Sequence, residues 1–134
     1  MSDNDSKTIA ARELSARSDH IEEAYEFFLA YAAQGLQSDS NSQVRDYLTK
    51  FDRAVDGLGP FLTDYVATLG LDPAPFKGFI GVLDRDARDA QAAAQMVLAQ
   101  PAIASQTIDN FNANIHVRAL LTDLFLIDEV LKGR

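Results

Sequence analysis

His20 and His116 are the only histidines in the chain, and there is no cysteine. Those two facts limit the chemistry from the outset. A carboxylate-bridged di-iron site needs Glu-x-x-His on two helices and further inward acids. Arg17 and Ala113 stand three residues before the histidines, so that donor set is missing. Helical phosphotransfer needs a solvent-facing imidazole with a cation to hold the phosphoryl group. His20 is followed by Ile21, Glu22 and Glu23, which carry the wrong charge. His116 has Arg118 close by but lacks the lysine and glycine that such domains carry just after the histidine. A lone histidine on an apolar helix is also too little to mark a haem ligand. Without thiols there is no disulfide, no thiolate nucleophile and no cysteine-ligated metal. No catalytic residue, no metal ligand and no cofactor are assigned on this reading.

The carboxylates are more numerous. Asp19, Glu22, Glu23 and Glu26 gather before and within an aromatic stretch. Acids at a helix start complement its dipole, and paired-carboxylate hydrolysis would further need a cleft. In the run Asp84-Arg85-Asp86-Ala87-Arg88-Asp89, Asp84 pairs with Arg88 and Arg85 with Asp89 at helical i,i+4 spacing. That pattern reads as a solvated salt-bridged face, with a docking surface as the functional alternative. Asn110, Asn112 and Asn114 weaken the helix that contains them. If Asn110 and Asn114 turn inward they need partners such as Ser105 or Thr107, and they then fix helix register or line a small polar pocket. A small-molecule site would draw on Asn110, Asn114, His116 and Tyr65. A dispersed enzyme site would draw on Arg118 and Asp123.

The elements that position these groups are helices. Val44, Leu48, Phe51, Val55, Leu58, Leu62, Tyr65 and Leu69 follow one another in steps of four and three. This is the spacing of a helix packed along one seam, and a strand would alternate every second residue. The seam would run about 39 Å if straight. Gly57, Gly59 and Pro60 fall inside it, so a kink is expected at 56–59, with the phase of the row preserved. Gly70 ends this helix, and Asp72-Pro73 opens the next, which carries Phe76, Ile80, Leu83, Ala87, Ala90, Ala94 and Val97 to about Ala99.

A first helix lies near 7–36, either unbroken or split at 17–19, where Ser18 and Asp19 could cap a second segment. A last helix starts between Pro101 and Thr107 and reaches Leu131, with Ile108, Phe111, Ile115, Leu120, Leu121, Leu124 and Ile127 inward. Residues 1–6 are polar and read as a disordered start, and 7–134 as one domain. The predicted fold is all-α: an elongated up-down-up-down four-helix bundle with short connectors.

The net charge is -8, and 12 of the 20 acids lie in residues 1–67. Such a surface repels phosphate backbones and anionic lipid, so neither nucleic acid nor membrane is an expected partner. The polar start lacks a secretory apolar stretch, which points to the cytoplasm. What remains is apolar surface beyond the needs of one seam. Tyr25 and Phe28 share one stripe, while Phe27 and Tyr31 lie on a neighbouring face. The last helix is apolar around most of its circumference, with Leu121 and Phe125 among the candidates for exposure. The expected function is a non-enzymatic protein–protein interaction module, an adaptor, assembly factor or regulator. Tyr25, Phe27, Phe28, Tyr31, Leu121 and Phe125 form its interface, most simply with a second copy. On this reading Phe27→Asp converts a dimer to a monomer in light scattering without loss of helicity.

Overall fold

The computed structural model describes residues 2–134. All of its regular structure is helical: α1 (Asp3–Ala33), α2 (Val44–Val55), α3 (Leu58–Thr68), α4 (Ala74–Leu98), α5 (Ser105–Ala113) and α6 (Ile115–Leu131). One continuous apolar cluster takes side chains from all six.

Helix α1 starts at Asp3, earlier than the polar sequence predicts. Ser2 and Asp5 form a reciprocal capping box, with Asp5 N–H donating to Ser2 Oγ at 3.2 Å and Ser2 N–H to Asp5 Oδ2 at 3.4 Å. That box satisfies donors that would otherwise fray the turn. Met1 lies outside the described residues. The helix then runs unbroken through 17–19. Leu14, Ile21 and Phe28 are buried along one stripe, which holds both sides of Ser18 in a single helix. Arg17 acts elsewhere, as described below.

The row from Val44 to Tyr65 is buried throughout, so its phase survives. The helix itself does not. Asp56 is extended and Gly57 takes a left-handed φ of 65°, dividing α2 from α3. Both helices pack on α1 and α4 rather than folding onto each other, so the break is a bend and not a hairpin. The carbonyls it frees are met by Arg17, whose Nη1 donates to Ala54 O at 3.2 Å and Asp56 O at 2.5 Å. The same guanidinium lies 5.2 Å from the Phe61 ring centroid. Gln91 on α4 closes the other side, donating to Asp56 Oδ1 at 3.1 Å.

Gly59 has a different role. A Cβ added there would stand 2.6 Å from Asp84 Cβ on α4. Only glycine lets α3 approach α4 so closely.

The connectors at one end are tied together by hydrogen bonds. Tyr31 Oη donates to Ile103 O at 2.6 Å, and Ser105 Oγ donates to Tyr31 O at 2.7 Å while accepting from Leu36 N–H at 2.8 Å. Arg45 donates to Leu98 O and Gln100 O at 2.9 and 2.7 Å, and pairs with Asp39 at 2.7 Å. These bonds satisfy carbonyls left over at the end of α4. The Arg45 guanidinium and the Ile103 amide hold the Asp39 carboxyl below its ordinary range.

The expected single last helix is the main departure. Asn114 is extended at ψ 135°, and its Oδ1 accepts from His116 N–H at 3.0 Å. It caps a new helix instead of continuing the old one, as asparagine commonly does. The phase shifts with the break. Ile115, expected inward, is 73% exposed, and Val117 is buried instead.

Gly59→Ala should lower stability by about 1–3 kcal/mol through overpacking against Asp84. Gly78→Ala, in a helix with open space around it, should raise stability by about 0.5–1 kcal/mol. Thermal melts followed by circular dichroism read both signs, and a neutral Gly59→Ala would contradict the close α3–α4 contact.

Candidate functional site

The bend at Asn114 sets the geometry of the surface. Before it, α5 lies closely along α1; after it, α6 lies along α4 and only sparsely against α1. A groove of about 510 Å³ opens between α1 and α6, lined by Glu22, Tyr25, Glu26, Arg118, Leu121, Thr122 and Phe125. Leu121 is buried at its base, Tyr25 is half-buried, and Phe125 is 56% exposed at the wall. The outer face of α6 continues the apolar surface through Leu126 and Val130, both exposed.

The other aromatic candidates are used inside the chain. Phe28 and Tyr31 are fully buried. Phe28 meets Phe51 and Phe111 edge to face at 6.4 and 5.5 Å. Phe27 stacks on Tyr47 with centroids 4.1 Å apart. The second apolar face of α1 is therefore covered by α2, and a charge at Phe27 would attack the fold before any interface. Three of the six predicted interface residues, Tyr25, Leu121 and Phe125, come together at the groove. Glu22, Glu26 and Arg118, which line it too, stood outside that prediction.

The acids around the groove repel one another. Burial, together with Asp19, Glu26 and Asp128, pushes the Glu22 carboxyl above its ordinary value. Among the described residues Glu22, Glu26 and Asp128 form no ion pair.

The three asparagines are used in different ways. Asn114 is spent as a cap. Asn112 is buried, its Nδ2 donating to Tyr25 O at 3.4 Å. Asn110 is exposed and accepts from Gln106 Nε2 at 3.4 Å. Asn110 and Asn114 do border a depression of about 280 Å³ with Ala93, Met96, Thr107 and Phe111, but neither His116 nor Tyr65 lines it. His116 instead has Nδ1 3.5 Å from Asp89 Oδ2. Arg118 and Asp123 diverge by about 140° around α6 and do not converge on one site.

Of the two expected pairs in the acidic–basic run, Asp84–Arg88 forms at 2.9 Å, while Asp89 turns to His116. The third acid of that run, Asp86, faces Asp123 across α4 and α6. Asp123 Oδ2 is buried and has no partner while both groups are ionised, because two carboxylates cannot donate to each other. A proton on Asp123 would supply the missing donor, and burial together with Asp86 pushes the Asp123 carboxyl up to about 7.

The folded chain thus holds this proton more tightly than the unfolded chain, whose carboxyl titrates near 3.8. The contribution is present below about pH 4 and is lost as pH rises to about 7. Allowing for the partial exposure of Asp123, it amounts to about 1–2 kcal/mol. Asp123→Asn keeps a donor for Asp86 and should raise Tm at pH 8 while leaving it nearly unchanged at pH 4. An unaltered pH profile between 4 and 8 would remove this proton from the account. Set beside protein-family models, curated proteins and solved structures, the chain has no match in any of the three comparisons.

Proposed function

We propose that this chain is a non-enzymatic helical protein–protein interaction module, acting as an adaptor, assembly factor or regulator, and that the α1–α6 groove is its docking face. The observation that carries the reading is Phe125, a large apolar side chain 56% exposed beside a groove based on Leu121 and Tyr25. Aromatic side chains at the edge of an apolar depression are typical binding anchors.

The architecture supports a rigid scaffold behind that face. We read α2–α3 and α5–α6 as two bent rods, so that the six helices form four rods running alternately up and down. Arg17 reaches Asp56 whereas Phe27 meets Tyr47. Gln91 reaches Asp56 whereas Arg45 reaches Gln100. Tyr31 reaches Ile103 whereas Asn112 reaches Tyr25. In each pair of rods the numbering rises along one as it falls along the other. Among the described residues no helix is long and apolar enough to cross a membrane.

A second copy is the simplest partner such a face can have. In that homodimeric case Phe125→Asp, which changes an exposed side chain, would leave helicity intact and abolish association by multi-angle light scattering. A wild type that stays monomeric at high micromolar concentration ends the homodimeric form. A host protein that co-purifies with wild type and equally with Phe125→Asp ends the assignment of the face.

A further inference from the structure

We infer that the occupant of the α1–α6 groove is a short amphipathic helix carrying lysine or arginine beside its apolar anchors, and not a second copy of this chain. The inference rests on the interaction reading above and names the partner's chemistry. From Arg118 to Phe125 the α6 wall covers about two turns, or about 10 Å. That length takes two anchors spaced three or four residues apart on a partner helix. Tyr25, Leu121 and Phe125 supply apolar contact for those anchors.

Charge decides between the occupants. Glu22 and Glu26 line the groove, Asp19 and Asp128 stand near enough to act on Glu22, and Arg118 is the one cation in the lining. A second copy would bring the same excess of carboxylates against this one, on top of a whole-chain charge of -8. Each like-charge approach across a contact is unfavourable. A basic helix reverses that sign, fills the unpaired acids and is steered in from a distance.

The test uses the full chain and two fluorescein-labelled probes: a leucine–lysine amphipathic helix of about fourteen residues, and the same helix with glutamate for lysine. Anisotropy should show the lysine probe binding and weakening as salt rises. Glu22→Lys combined with Glu26→Lys should weaken it by about ten-fold or more. Asp46→Lys combined with Asp64→Lys makes the same change in net charge at exposed positions outside the groove lining, and should weaken it less than about two-fold. Far-UV circular dichroism checks that each variant is folded. Equal losses in both double variants would show a diffuse field and overturn the inference. A glutamate probe that binds, and is lost in Phe125→Asp, overturns the basic partner but leaves the groove as a docking face. Binding of neither probe that depends on Phe125 overturns both.

Discussion

Three phenylalanine rings hold the arrangement from which the surface follows. Phe28 of α1, Phe51 of α2 and Phe111 of α5 meet edge to face, with centroids 5.5 to 6.4 Å apart. Each such pair is worth about 0.5–1.5 kcal/mol beyond the area it buries. The gain matters less than the geometry. The rings can interlock only if α5 lies close along α1, and a straight continuation would keep the rest of that rod there too. Asn114 prevents this by ending α5 and capping α6. Helix α5 therefore packs along α1 and α6 along α4, and the groove opens between α1 and α6. Core packing and surface shape are two results of one aromatic contact and one cap.

Polar groups follow the same economy at the connectors that follow α1 and α4. Tyr31, Ser105, Arg45 and Asp39 each satisfy backbone groups that the helix ends leave over. They bind one loop to another and leave little for chemistry. The groups that remain unsatisfied lie elsewhere: Ser18, Asn112 and Asp123 each bury an oxygen without a partner. Only the last faces another ionisable group, Asp86, and the pair lies between helices rather than in a cleft. Its place explains why ionisation there bears on stability.

Much of the fold was legible from periodicity. The stripes of Ile80 to Val97 and of Val44 to Tyr65 are buried as spaced, with Phe76 only partly so, because a long apolar row at steps of three and four has one solution in a helix. Helix breaks were harder to read. Gly57 was visible, yet its outcome turned on Arg17, a side chain remote in sequence that meets the freed carbonyls. The asparagine group was recognised as a weak point, but not as the end of a helix, because capping competes with continuation by small margins. That one ambiguity displaced Ile115 to the surface and concealed the groove. The second aromatic face of α1, expected to be open, is taken up inside the chain, since Tyr47, about twenty residues further on, stacks on Phe27. Asp86 and Asp123 sat beside buried stripe positions, next to Ala87 and Leu124, which was the available clue to their meeting.

Helix α1, at 31 residues, is the longest element among the described residues. Its first fully buried residue is Leu14, so about three turns from Asp3 to Glu13 have a cap at one end and only Ala10 packed against the core. A segment of that length is marginal as a helix in water. Its amides should exchange with solvent deuterium freely, while those beyond Ile21 wait for the core to open. The longest element is therefore held unevenly: its start rests on a cap and a partial contact at Ala10, and full burial begins at Leu14.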